Sequence, residues 1–338
     1  MFVYLLKRLL LAGFTMFAIL LVSYLLLRLA PGDPTKTGIL GQDAGGSLTA
    51  DRPQLGVNDA LRKKLNLDRP IYEGFFIWLG DALKGDFGTS ATVEPGRPVT
   101  TVIMSRLPVT LRLNLLAILL TYLLAVPTGI LAAGKPNSLF DRTTTVTMFM
   151  LYSLPVIWVG LVLQSTLAAG GLFPVFPVKG MPPEWIPGIG WFRTLLNSAM
   201  YYVLPVTCLT YAGFAGIARY TRGSMIEELR SDYIRTACAK GVSESGILFH
   251  HAFRNSVITL ITLLSGLLPG LVAGSIIVEQ IFGIPGMGSL SITSLLSRDY
   301  PLQMAIFAFA GMLTLAGILC SDLLYMLADP RISLLKKR

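Results

Sequence analysis

Six hydrophobic stretches, at residues 9–30, 111–133, 146–169, 199–218, 257–278 and 302–327, leave this chain few ways to fold. Each is long enough to cross a hydrocarbon core of roughly 30 Å as a helix, and in lipid the backbone must satisfy its own polar groups, as a helix does. The expected fold is an all-α polytopic membrane protein with six transmembrane helices. Composition agrees: 53% of the 338 residues are hydrophobic and 14% charged, outside the range of soluble globular domains. The first stretch rivals a signal peptide. It is too long for a typical h-region, and Pro31 stands where a cleavage site needs a small residue, so residues 1–30 read as an uncleaved anchor.

Six crossings put both termini on one side, and the cationic residues say which. Segments 1–8, 134–145, 219–256 and 328–338 hold fourteen Lys and Arg, whereas the short loops 170–198 and 279–301 hold three. The first group, with both termini, is therefore expected in the cytoplasm. The net charge of +9 is thus read as topology and not as a nucleic-acid footprint. Residues 31–106 are long enough to cross regardless of charge and are expected to form an external subdomain. There Asn58 is expected to cap one helix through Leu61 and Leu65, and Ile71, Phe75, Trp78, Leu79 and Ala82 share one apolar helical face. The rest, 107–338, is expected to be a five-helix core whose cytoplasmic loop is 219–256. Pro127, Pro155, Pro205 and Pro269 interrupt four stretches, and Gly266, Gly270 and Gly274 are spaced for close packing in the fifth.

Chemistry is mostly absent. Gly129 to Lys135 fits G-x-x-x-x-G-K, but Pro136 replaces the hydroxyl that would hold magnesium, and half of the motif lies in a span. The adjacent His250 and His251 have no third ligand nearby, and Cys208, Cys238 and Cys320 are too scattered for a metal cluster or a disulfide framework. No cofactor is expected in this chain. Two acidic residues keep a second reading open, an ion-coupled transporter or channel using Glu279 and Asp322. For Glu279, at the outer end of its helix, a gate contact, an anchoring hydrogen bond and interfacial solvation all fit.

The most informative polar stretch is 231–259, SDYIRTACAKGVSESGILFHHAFRNSVIT. Its small residues Thr236, Ala237, Cys238, Ala239 and Gly241 would let another protein approach the backbone closely. The stretch resembles the cytoplasmic EAA loop of ABC-importer permeases, in which a triplet, a glycine and a short hydrophobic motif form the coupling helix. Arg235, Thr236 and Ala237 occupy the triplet, Gly241 is the glycine, and residues 251–254 fill the later motif. Arg235 in place of Glu and Arg254 in place of Pro resemble the B-type permeases of the dipeptide, oligopeptide and nickel branch. Residues 65–70, 85–90 (GDFGTS) and 278–288 (VEQIFGIPGMG) resemble further stretches of that family.

The resemblance implies a type I ABC importer permease fold in a bacterial inner membrane, half of a translocation pathway for di- or oligopeptides. It implies a second homologous permease, two ATPase subunits that bind ATP and Mg, an external solute-binding protein, and lipid as surroundings. The residues it places at the ATPase contact are Asp232, Tyr233, Arg235, Thr236, Ala237, Lys240, Gly241, His251 and Arg254. Apart from the resemblance, Glu279, Pro285 and Gly286, at the outer end of the fifth stretch, are the candidates for a gate or pathway. Which substrate is carried stays open, since nickel, glutathione and oligosaccharide importers share the pattern.

Overall fold

The computed structural model describes residues 2–29, 68–177, 179–181, 191–267 and 270–328. Among them the regular structure is helical, and β-pairing is confined to two isolated bridges, Thr89 with Pro98 and Ala168 with Phe176. The helices are α1 (Phe2–Leu29), α2 (Ile71–Leu83), α3 (Val99–Gly134), α4 (Leu139–Ser153), α5 (Val156–Leu167), α6 (Trp191–Leu229) and α7 (Asp232–Ala239). A π-helical segment (Gly246–Ala252) follows, then α8 (Phe253–Leu267), α9 (Gly270–Ala273), α10 (Ile276–Ile281), α11 (Met287–Leu296) and α12 (Tyr300–Ala328).

Among the described residues, four helical stretches are long and apolar enough to cross a membrane alone: Lys7–Leu29, Val99–Gly134, Leu196–Leu229 and Tyr300–Cys320. Counting the bent pair α4 and α5 as one span makes five.

Two of the six expected spans are broken. In the third, α4 and α5 meet at 94°. Leu154 has ψ of 125°, the extended conformation into which a residue before proline is pushed, and Pro155 has no N–H to continue the helix. The fifth breaks after Ala273, the last residue of α9. Gly274 then turns at φ of +71°, and the Ser275 hydroxyl caps α10 by accepting from the Val278 amide. Pro127 and Pro205 lie within unbroken α3 and α6. Pro269 and Asn58 lie outside the described residues, as does the side chain of Asp322.

The chain separates into two compact units, residues 1–108 with 289–315, and residues 109–288 with 316–338. In the first, Leu20 and Tyr24 of α1, Phe75 of α2, and Met304 and Ala308 of α12 form a core, joined by Ile71, Trp78 and Leu79. The apolar face read from the spacing of residues 71–82 is the one that packs. Phe75 is buried, with the rings of Phe17 and Tyr24 edge-on at 5.7 and 5.5 Å, a favourable aromatic geometry.

The same unit is tied by Asp299, which is 0% exposed. Its Oδ2 accepts from the Ser90 hydroxyl (2.5 Å) and from the amides of Ala91, Thr92 and Val93 (3.0, 3.0 and 3.1 Å), and its Oδ1 accepts from the Leu302 amide (3.3 Å), capping α12. Burial alone would raise this carboxyl. The hydrogen bonds from Ser90 and the amides of Thr92, Val93 and Ala91 outweigh burial and hold it below the usual carboxylate range. A few residues earlier, Asp86 closes a separate local turn by accepting from the Gly88 amide at 2.8 Å.

Because the folded value is depressed, Asp299 stabilises this unit above its unfolded pKa of about 3.9. That contribution is lost as pH falls through the lower folded value. Ser90→Ala removes one hydrogen bond to a buried charge and is expected to destabilise the unit by about 2 kcal/mol. Thermal unfolding of the purified protein between pH 3 and 7 should show a lower midpoint for Ser90→Ala at pH 7, and a wild-type loss confined to the acid end.

The second unit is held by close approach of α3 and α6. A Cβ on Gly129 would lie 2.6 Å from the Thr221 Cβ and 2.7 Å from the Ala218 carbonyl oxygen, and one on Gly213 would lie 3.1 Å from the Thr121 methyl. Small residues let membrane helices approach in this way. Gly129, the first residue of the apparent nucleotide motif, is therefore a packing residue inside α3. Asp141 of α4 is buried against Arg222 of α6 at 2.5 and 2.8 Å, and also accepts from the Asn137 amide at 2.8 Å. This pair fixes α4 beside α6.

Candidate functional site

The first site is α7 and the turn that ends it. Asp232, in the first turn, complements the helix N-terminus. The end is a Schellman turn: the Gly241 amide donates to the Cys238 carbonyl (3.0 Å) and the Val242 amide to the Ala237 carbonyl (3.3 Å), with Gly241 at φ of +78°. Glycine belongs there for its backbone, since other residues pay strain in that region. A Cβ on Gly241 would meet nothing within 4 Å.

The helix has two faces. Ile234 and Ala237 are buried, while Asp232, Tyr233, Arg235, Thr236, Cys238, Ala239, Lys240 and Gly241 are exposed. This corrects one expectation: Ala237, at 7% exposure, is turned inward and offers no surface to a partner. The exposed Arg235 and Asp232 pair at 3.4 Å, and such a contact adds little. Tyr233 donates to Glu228 at 2.5 Å. Of the later motif, Arg254 is exposed and His251 half-buried, its ring edge-on to that of His250 at 5.5 Å.

Ile234 connects this surface to the spans. It packs in a cluster with Ile130 and Ala133 at the end of α3, Met225 near the end of α6, and Ala252 at the end of the π segment. The Ser256 hydroxyl donates to the Ala252 carbonyl at 3.0 Å and lies 3.2 Å from the Met225 sulfur. The inner face of α7 is therefore tied to α3, α6 and the start of α8 by packed side chains. Ile234 was not singled out in the sequence, where only its alternation with exposed neighbours at helical spacing marks it.

The second site surrounds Glu279, in the first turn of α10. It is 0% exposed, so interfacial solvation does not describe it and an anchoring hydrogen bond does. The Thr110 hydroxyl of α3 donates to Glu279 Oε1 at 3.0 Å and accepts from the Met287 amide at 2.7 Å. Three glycines wall the carboxylate. A Cβ on Gly274 would lie 2.6 Å from Oε1. One on Gly286 would lie 2.5 Å from Thr110 Oγ1 and 2.6 Å from Oε1, and one on Gly288 would lie 3.1 Å from Oε2 and 2.8 Å from the Ile276 nitrogen. One turn along α3 from Thr110, Asn114 donates to the Leu271 carbonyl at 2.7 Å, satisfying a group freed by the broken helix.

The structure thus brings Glu279 and Gly286 together, with Pro285 half-buried beside them. Thr110 and Asn114 were missed because they lie far off in the chain, in a stretch whose apolar character masks them. Among the described residues no group of three or more His, Cys, Asp or Glu is placed to hold a metal ion.

Residues 125–334 match the family described as binding-protein-dependent transport system inner membrane component. The chain is 37% identical over 330 residues to the oligopeptide transport system permease protein AppB of Bacillus subtilis, covering 97% of this chain and 98% of the relative. It is also 37% identical over 329 residues to the oligopeptide transport system permease protein OppB of Haemophilus influenzae, covering 96% and 97%. The inner membrane ABC transporter permease protein YejB of Escherichia coli is 30% identical over 361 residues, covering 97% and 98%. The chain therefore belongs to the family of inner-membrane components of binding-protein-dependent transport systems. It is a permease subunit, and this membership decides against the ion-coupled reading.

Proposed function

We propose that this chain forms half of the membrane pathway of an importer for di- or oligopeptides, paired with a second, similar permease, with two ATPase subunits docked on the exposed face of α7. The observation that carries the mechanism is the two-sided α7: polar and small residues outside, Ile234 inside, packed on the ends of α3, α6 and the π segment. Supporting the substrate class are the relatives from Bacillus subtilis and Haemophilus influenzae, both oligopeptide transport system permease proteins. ATP and Mg are held by the partner ATPases, and an external binding protein delivers the peptide.

In this reading the six hydrophobic stretches are six spans, the fifth being broken at Gly274, before α10. Both termini are cytoplasmic, and residues 31–106 lie outside as a subdomain against the binding protein. Closure of the ATPase pair moves α7, whose inner face carries the motion into α3, α6 and α8, two arrangements of which open the pathway to either side. Asp232, Tyr233, Arg235, Thr236, Lys240, Gly241, His251 and Arg254 belong to the coupling surface and its support. Glu279, Pro285 and Gly286 form a rigid corner of the pathway.

Uptake tests the substrate class. Proteoliposomes holding the full importer should take up a labelled oligopeptide only with ATP and the binding protein, and uptake that follows an imposed ion gradient without ATP would overturn the assignment. Topology is tested separately in a background without native cysteines. Lys179→Cys should react in sealed cells with an impermeant thiol reagent and Ser243→Cys should not. Labelling of Ser243→Cys would reverse the orientation.

A further inference from the structure

A cavity of about 460 Å³ opens where α3 and α6 end and α4 begins. Its walls are mainly apolar, Leu131, Phe140, Ile247 and Leu248 among them, and two opposite charges face it, Lys135 and Glu244. Among the described residues neither Lys135 nor Glu244 makes an ion pair. Leu131 and Phe140 are about half exposed, so the apolar wall continues from the cavity onto the surface of the spans.

From this juxtaposition we propose that the cavity binds one zwitterionic aminophospholipid, its phosphate on Lys135, its primary ammonium on Glu244, and an acyl chain along Leu131 and Phe140. The volume lies within the usual range for a small-ligand pocket. A cation and an anion left unneutralised beside one apolar wall match a ligand that carries both charges and a hydrocarbon tail. The position matches too, since it is the level at which helices of membrane-spanning length meet the headgroups. A peptide loop offers no such fixed pairing of charges, and an anionic lipid lacking an amine would set its phosphate beside Glu244 with nothing to offset the repulsion. The primary ammonium also donates hydrogen bonds to a carboxylate, which a trimethylammonium does not.

The bound lipid would wedge the π segment against α3. Gly134, whose added Cβ would lie 3.0 Å from the Leu248 side chain, shows how closely those two elements already meet.

The test uses the full importer complex and native mass spectrometry with dioleoyl phosphatidylethanolamine, phosphatidylcholine and phosphatidylglycerol added in turn. We expect the ethanolamine lipid to bind about tenfold tighter than either of the others, as one charge-assisted hydrogen bond supplies. Glu244→Gln should abolish the preference over phosphatidylcholine, and Lys135→Gln should weaken binding of all three. Both residues are exposed, so neither change threatens folding, and retention of the ATPase subunits is followed in the same spectra. Equal binding of the three lipids, or a preference unchanged in both variants, would overturn the proposal. So would loss of ATPase subunits with lipid selectivity intact, because the cavity would then be a protein contact. None of these readouts depends on which solute the importer carries.

Discussion

Ala239→Arg is expected to abolish transport while the chain still inserts and folds. Ala239 lies in the last turn of α7 with its side chain exposed, so a longer residue disturbs no internal packing. In the assembled importer the same position lies in the proposed ATPase contact, where an unpaired charge costs at least about 3 kcal/mol. That weakens association more than a hundredfold, and the ATPase subunits should be missing from the purified complex. Gly241→Arg is a less clean change, because Gly241 is at φ of +78° and a side chain there adds about 1–2 kcal/mol of backbone strain whether or not a partner is present.

Ile234→Ala separates docking from transmission. It leaves the exposed face intact but empties the anchor among Ile130, Ala133, Met225 and Ala252, at a local cost of about 3 kcal/mol. This variant should keep its ATPase subunits and hydrolyse ATP without moving peptide. Loss of the subunits from Ile234→Ala would show that the inner face maintains the docking surface and does not merely transmit its motion.

Gly286→Ala is expected to be strongly destabilising for a single methyl group. The new Cβ would meet Thr110 Oγ1 at 2.5 Å and the Glu279 carboxyl carbon and Oε1 at 2.6 Å, and the neighbouring backbone gives little room to relax. Overpacking alone costs about 1–3 kcal/mol, and driving the buried Glu279 carboxylate from its donor adds a penalty of about 3 kcal/mol or more. Gly80→Ala is the matched control, since nothing lies within 4 Å of the added carbon. In detergent, the midpoint of thermal unfolding should fall for Gly286→Ala and stay near wild type for Gly80→Ala. Equal behaviour of the two would mean that the glycine corner is not rigid.

Much of this fold is legible in the sequence because the bilayer restricts the choices. The long apolar runs appear as α1, α3, α6 and α12, and the i, i+4, i+7 spacing from Ile71 to Ala82 marks the packed face of α2. Pro155 signals the bend between α4 and α5, although nothing in the local sequence sets its angle at 94°. The break at Gly274 is harder to see. Glycine is common in membrane helices, and what forces the turn here is the carboxylate of Glu279 together with donors from α3.

The same limit hides Thr110, Asn114 and Asp299. Each acts through partners remote in sequence, as when Asp299 gathers the amides of residues 91–93. Ala237 illustrates the opposite failure, for its small side chain suits a docking surface and only the rotation of α7 shows that it faces inward.

The central claim, that the exposed face of α7 is covered by the ATPase, is tested most directly on the native Cys238. This thiol is exposed in the isolated chain. With Cys208 and Cys320 replaced by serine, its rate of reaction with a maleimide is compared between the permease alone and the complete importer. The account predicts at least a tenfold slowing on assembly, since burial that costs the reagent about 1.4 kcal/mol of access suffices for that factor. An unchanged rate in a complex that retains its ATPase subunits and transports peptide would contradict it.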